Sequence, residues 1–341
     1  MGRKIGIYVD VENVTMNGGR GLQYDVLRQL ACRGGGDPVR MNAYVRFDEQ
    51  RARSGDPTYT KVLEFHSRLR DSGFKVVEKP VRWYHDASGE RYGKANADLD
   101  MAVDMLLQSE RLDRVVLVSG DGDFVKVVEA LQNRGLRIEV LAFQNVSQAL
   151  QNQADLFLSG YLVPNLLPPA PVPDPKRWGE EGSRVRGTCH WFDPDKGYGF
   201  MRYLAEISDH LWTLDSRHPD SPYRTAFVHA SSLPSGGIEA RLPNREFVFE
   251  FTLRAGEKGL AAHDLVLVAG LGGFPRDPGA PRDLGAAREL GTPRELGAPR
   301  DPGAPRDLGA PRDLGAPREL GVPRDLPIKE PAPAPKEPTT P

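Results

Sequence analysis

The sequence predicts an α/β body built on a parallel sheet with helices on both faces, followed by a small all-β barrel and a disordered repeat tail. Three features carry that expectation. Apolar strand-length runs alternate with helical patterns from 4 to 142, which is the signature of βα units. Short aromatic and β-branched runs separated by Gly, Pro and Asn turns fill 183–269, as in a small barrel. A hexapeptide of the form Pro-Arg-acid-Leu-Gly-Ala then recurs nine times across 275–328.

Taken in order, "KIGIYVD", "RMNAYVRF", "FKVVEK", "RVVLVSG" and "RIEVLAF" are the strands of the first body. "YDVLRQLAC", "YTKVLEFHSRLRDSG", "ANADLDMAVDMLLQS" and "DFVKVVEALQNRG" are the helices between them, and the Asp-Ser-Gly and Asn-Arg-Gly endings of two supply C-caps. "PVRWYHDASGERYG" breaks the alternation and reads as an inserted hairpin on the sheet's rim. The first domain spans 1–163, and Pro-rich 164–182 fits a semi-rigid linker. The barrel occupies 183–270 and the tail 271–341. A hexad period with Leu-Gly raises a left-handed β-helix for the tail. Content argues against it, because each repeat offers at most one large apolar residue, and its Pro cannot donate to a ladder. A partly polyproline, disordered tail follows.

Composition bounds the function. At 341 residues the chain can bury a core in each of two domains. Its two cysteines, Cys32 and Cys189, fall in different domains, so neither a disulfide framework nor a zinc site is indicated. Acids arrive in "MGRKIGIYVDVENV" before a signal peptide's apolar core forms, Gly6 stands where a myristoylation motif needs Ser or Thr, and no run reaches membrane-spanning length. The expectation is a soluble cytoplasmic protein without a membrane partner. Basic and acidic residues balance at 22 and 22 in 1–166, 10 and 11 in 183–270, and 11 and 11 in 271–341. No segment has the basic excess of a tight, non-specific duplex binder, so any nucleic-acid contact must use local geometry.

Acids gather where the first body's strands end. In an open doubly wound sheet, ligands collect at the carboxyl ends of strands flanking the point where strand order reverses. Asp10 ends the first strand, and "VVLVSGDGDF" places Asp121 and Asp123 just past the fourth. If those two strands are neighbours, Asp10 and Asp121 converge. Asp98 shares a helical stripe with Met101, Ala102 and Met105, which puts it at the N-terminal end of the sheet-facing side, whereas Asp100 and Asp104 lie on another face. Each acid taken alone also suits a helix cap or a turn. Together they repel, by roughly 4 kcal/mol for a pair about 4 Å apart at an effective dielectric of 20. A hard cation, Mg²⁺ or Mn²⁺, is the natural occupant, and phosphodiester hydrolysis the chemistry such a site suits. No phosphate-binding Gly-rich loop or dinucleotide fingerprint is present.

The order "YVDVENV", "KANADLDMAVDML", "VLVSGDGDF" and "LQNRGLRIEVLAF" resembles the NYN domain, the LabA-like branch of the PIN-like nuclease superfamily, over roughly residues 3 to 160. The resemblance implies a PIN-like, Rossmann-like fold and a metal-dependent ribonuclease, with Asp10, Asp98 and Asp121 as metal ligands and Asp123 as a fourth acid. It implies that Asn13 orients Asp10 or touches the phosphate, and that Lys94 contacts the RNA backbone.

"GTCHWFDPDKGYGFMRY" sets Trp191, Phe192, Tyr198 and Phe200 around "KGYGF", and "AFVHASSL" adds Phe227 and His229. Strand alternation puts Tyr198 with Phe200, and Phe227 with His229, on one face each. Exposed rings on a sheet hold single strands by stacking, at about 1 to 3 kcal/mol per base and without a basic surface. Packing in the barrel core is the competing role, which suits Phe192; Gly197 and Gly199 between the other rings argue for a surface strand. These motifs, with "EFVFEFTLRAGEKGLAAHDLVLV", resemble a cold-shock domain of OB fold over about 184 to 269. The resemblance implies RNA binding through Trp191, Lys196, Tyr198, Phe200, Phe227 and His229. Two departures stand out: "RYLAEISDHLWTLDSRHPDSPYRT" replaces a short loop, and His190 and Ala230 stand where a Lys and often an aromatic would be, which implies weaker binding.

The sequence therefore predicts a metal-dependent ribonuclease that acts on single-stranded RNA in RNA processing or decay, with the barrel capturing the substrate. A non-enzymatic RNA-binding regulator and a nuclease directed at single-stranded DNA are the alternatives.

Overall fold

The computed structural model describes residues 2–85, 91–94, 97–256 and 259–270. The hexapeptide repeats lie outside the described residues.

The first body runs β1 (Lys4–Asp10), α1 (Val11–Met16), α2 (Tyr24–Ala31), β2 (Asp37–Phe47), α3 (Glu49–Arg53), α4 (Pro57–Asp71), β3 (Lys75–Pro80), β4 (Arg82–His85), β5 (Arg91–Lys94), α5 (Ala97–Gln108), β6 (Arg114–Val118), α6 (Val125–Asn133), β7 (Arg137–Ala142), α7 (Gln148–Gln153) and β8 (Leu156–Ser159). Six strands form one sheet in the order β3-β2-β1-β6-β7-β8, and every pair is parallel. Its central strands are mostly apolar because both faces are covered: β6 is buried at all five positions, Arg114 included. β1 pairs with β6 from Ile5↔Arg114 to Val9↔Val118, so strand order reverses at β1. The antiparallel pair β4-β5 is the inserted hairpin. β8, missing from the sequence expectation, adds the sixth strand; at four residues it is too short for alternation to reveal.

The helices divide unevenly between the faces. Beneath α5, α6 and α7 lie Tyr8, Tyr44, Met101, Met105, Leu117, Phe124 and Leu150. The opposite core, under α1, α2 and α4, holds Ile5, Ile7, Val9, Leu27 and Leu69. Because α6 and α7 both cross on the first face, the second face of β6, β7 and β8 has no helix of its own among the described residues and meets the end of α2 at Leu30. The second body fills that place.

That body is a closed barrel, β10-β11-β13-β12-β9, formed by β9 (Arg184–Asp193), β10 (Tyr198–Leu204), β11 (Tyr223–His229), β12 (Asn244–Gly256) and β13 (Gly259–Ala269). One parallel contact, β11 with β13, closes an otherwise antiparallel barrel, which is the OB arrangement. Val185, Phe192, Met201, Phe247, Phe249 and Phe251 fill its interior. Leu204, Leu211, Tyr223 and Val248 instead join the core of the first body. Leu211, from the long β10–β11 connection, sits among Leu30, Val116, Leu141 and Leu158.

The Pro-rich segment is thus not a free spacer at its start. Leu166 and Leu167 are buried, Gln23 N donates to Leu166 O at 2.8 Å, and Arg186 of β9 donates to Leu167 O and Pro168 O at 2.9 Å each. Arg186 and Arg184 also bind the buried Glu250 of β12, at 2.8 and 2.6 Å.

Candidate nuclease centre and nucleic-acid platform

Asp10 is the most enclosed of the predicted acids, at 5% exposure. It sits where β1 gives way to α1 and caps that helix: Asn13 N donates to its Oδ1 at 3.0 Å. Ser119, just past β6, donates through Oγ to Asp10 Oδ2 at 3.3 Å and accepts from Asp121 N at 3.2 Å. Asn13 reaches across the same junction, its Oδ1 accepting from Gly120 N at 2.9 Å. Asp121 then caps the turn Gly122–Phe124, accepting from Asp123 N at 3.0 Å. The capping carboxylate before Phe124 is Asp121, not Asp123, which is exposed. The ends of β1 and β6 are therefore stitched together by Ser119 and Asn13, and both carboxylates serve as caps while facing one rim.

Burial, opposed in part by the hydrogen bond from Asn13 and reinforced by Asp98, pushes the Asp10 carboxyl up to about 6. Asp98, half-buried in the first turn of α5, is also raised, first by burial and then by Asp121, Glu12 and Asp123. The four predicted acids thus share one electrostatic neighbourhood. Glu12 is a fifth member that sequence reasoning missed. Its signal was position, two residues past Asp10 at the start of a six-residue helix too short for periodicity to reveal. Arg46, at the end of β2, pairs with Glu12 at 2.5 Å and brings a cation to the rim. Asp100 and Asp104 stand apart, paired with Lys79 and with the Tyr44 hydroxyl. Among the described residues, no three acid, His or Cys side chains close to a common metal-ligand arrangement. The Lys94 side chain lies outside the described residues.

Chemically the donor set fits a hard cation. It consists of carboxylate oxygens on one rim, where burial first and neighbouring acids second raise the proton affinities of Asp10 and Asp98.

On the barrel, Trp191, Phe200 and Phe227 are 40%, 36% and 40% exposed, and strand register sets Phe200 opposite both of the others. Tyr198 lies 5.4 Å from Trp191 and stacks on Phe227 at 5.8 Å between ring centroids. His229, opposite Tyr198, is exposed and fixed by Ser231, whose Oγ lies 2.8 Å from Nδ1. Lys196 flanks the rings and pairs with Asp193 at 3.2 Å. Phe192 points inward. The glycines have their own reason: a Cβ on Gly199 would meet Trp191 O at 2.5 Å, and Gly197 turns the chain at φ +65°. They reflect close backbone approach and turning, so exposure, not glycine content, identifies the surface rings.

The family model for the NYN domain matches residues 4–164. The first body is an NYN domain. Over 97 residues it is 34% identical to the low amplitude and bright protein LabA of Synechococcus elongatus, covering 28% of this chain and 52% of LabA, so the chain spans about half that relative's length. The cold shock-like protein CspG of Escherichia coli is 29% identical over 84 residues, which is 25% of this chain and 94% of that protein. A crystal structure of a protein of unknown function from Vibrio parahaemolyticus is 32% identical and covers 46% of this chain and 93% of its own, with a TM-score of 0.39. The NYN domain is a PIN-like, nuclease-type domain, and the barrel beside it is cold-shock-like. Among the described residues no helix is long and apolar enough to cross a membrane.

Proposed function

We propose that the protein is a metal-dependent ribonuclease that cuts single-stranded RNA at the NYN rim while the cold-shock-like barrel holds the strand. The observation that carries this reading is the convergence of Asp10, Asp98, Asp121 and Asp123, with Glu12, on the carboxyl ends of β1 and β6, where strand order reverses. Asp10, Asp98 and Asp121 would hold Mg²⁺ or Mn²⁺, with Asp123 at the open side. Such an ion supplies charge neutralisation at the phosphoryl group and an acidified water. The chain's own residues do the rest: Asn13 and Ser119 fix the Asp10 carboxylate, Asp123 faces solvent to meet the substrate side, and Arg46 offers a cation to a phosphate. Trp191, Tyr198, Phe200 and Phe227 offer stacking faces for bases, with His229, Lys196 and Lys94 beside the strand. The cytoplasm is the compartment this reading assigns.

Cleavage of labelled single-stranded RNA with Mg²⁺ or Mn²⁺, against chelator and against Asp121→Asn, tests it. Metal-dependent cutting that the substitution removes is the expected result. One observation favours a second reading, a regulator that binds RNA without cutting: Asp10 and Asp121 already serve the fold as the caps of α1 and of the turn Gly122–Phe124. Binding with no loss of RNA length under any metal would establish that reading, and equal cutting of matched DNA would redirect the first to DNA.

A further inference from the structure

The β10–β11 connection leaves two large apolar side chains exposed, Trp212 and Leu214, and of these Trp212 lines a cleft. Leu211 is 1% exposed and Tyr223 8%, whereas Trp212, next to Leu211, is 54% exposed. The indole meets the His210 ring edge-on at 5.7 Å and keeps its other surface open. Trp212 closes one side of a cleft of about 810 Å³ whose other walls include Arg3, Lys4, Arg111, Arg114 and Arg137 of the NYN domain. The Arg137 guanidinium lies 5.6 Å from the indole centroid. Arg137 and Arg3 are steadied from behind by Glu139 at 3.0 Å and Asp209 at 3.3 Å. Neither Lys4 nor Arg111 has an ion pair among the described residues. Arg114 is buried and held by Glu139 and Asp209, and Glu110 and Asp113 also line the cleft, so its basic character is carried by Arg3, Lys4, Arg111 and Arg137.

An exposed ring flanked by cations is the pairing that holds a base and its neighbouring phosphates. We propose that this cleft is a second single-stranded RNA site, with Trp212 stacking a base and Arg3, Lys4, Arg111 and Arg137 receiving the backbone. Arg114 and Arg137 begin β6 and β7, so the cleft lies at the amino ends of the strands, opposite the acids. The five residues of β6 alone span about 17 Å. The cleft therefore takes a flanking part of a long RNA and not the scissile bond. It is assembled only when the barrel docks, because Trp212 comes from the barrel and the arginines from the NYN domain. The inference rests on the reading that the barrel holds single-stranded RNA.

Anisotropy of labelled RNA with the full chain in chelator tests it, using oligomers of about 8 and about 30 nucleotides, since one OB fold occupies roughly 4–16. Trp212→Ala and, independently, the exposed-site change Arg111→Glu are expected to weaken the longer RNA by at least about five-fold, the lower end of one base stack, and to spare the shorter. Trp212→Phe is expected to restore most of the affinity. Phe227→Ala, on the platform, serves as the comparison and is expected to weaken both lengths. Unchanged affinity for the longer RNA in both cleft variants overturns the cleft, and so does an equal loss at both lengths. If Phe227→Ala alters neither length, the platform reading fails, whatever the cleft variants do.

Discussion

At the scale of single residues, Asp10 shows how one side chain serves fold and chemistry with conflicting demands. As a cap it needs an acceptor oxygen, which Asn would also supply; as an ionised group at 5% exposure it bears a desolvation cost that the Asn13 and Ser119 hydrogen bonds only partly offset. A folded pKa of about 6, above the ordinary 3.8, means that the protonated form favours the fold. Its contribution is fully present below pH 4 and lost as pH rises through about 6, to a total of about 3 kcal/mol. Asp10→Asn should therefore raise the Tm of the metal-free protein at pH 7.5 and leave it near wild type at pH 4; thermal melts in chelator at both pH values measure this. The same substitution should abolish RNA cleavage. A protein stabilised and disabled by one oxygen-to-nitrogen exchange would show that the carboxylate is kept for its charge. Asp10, Asp121 and Asp98 were legible in the sequence because strand ends and a helical stripe place them. Glu12 and Arg46 were not, since their approach depends on how α1 leaves β1 and on where β2 ends.

At the scale of elements, the platform depends on the register of three strands. β10 sets Phe200 between Trp191 on β9 and Phe227 on β11, a register shift follows Phe200, and β9 lies close enough to exclude a Cβ at Gly199. Gly199→Ala should thus destabilise the barrel and distort the ring cluster, seen as a lowered Tm together with weakened RNA binding. Phe227→Ala, in contrast, should leave Tm nearly unchanged and weaken single-stranded RNA by about 1 to 3 kcal/mol in a titration. Alternation in "KGYGF" and "AFVH" revealed which rings share a face, and so the platform could be read before the fold. The glycines were legible as unusual but not as to cause, because backbone approach across a sheet leaves no mark on one strand's pattern. The four-residue β8 and the helices α1, α3 and α7 escaped notice because runs of four to six residues hold too few repeats for a period to show.

At the scale of the whole molecule, the barrel takes the place of a missing helix layer. Leu211 lies among Leu30, Val116, Leu141 and Leu158, and beside it Arg33 binds Glu139 with both oxygens at 2.7 Å in a buried pair. Leu211→Ala should cost about 2 to 5 kcal/mol and lower the melting temperature of NYN domain and barrel together. Two separate transitions in calorimetry would instead show independent domains. Residues 1–163 expressed alone should expose the apolar second face of β6–β8 and aggregate, which light scattering would reveal. The sequence marked the long β10–β11 connection as an oddity of the barrel, but its destination lay in another part of the chain and had no local signature.

With the barrel packed on the sheet, the exposed rings and the acidic rim belong to one body and keep a fixed spacing. Under the proposed function such a molecule would act as a ruler: the distance from grip to cut would be set by architecture, and fragments of RNA shorter than that span would be held without being broken.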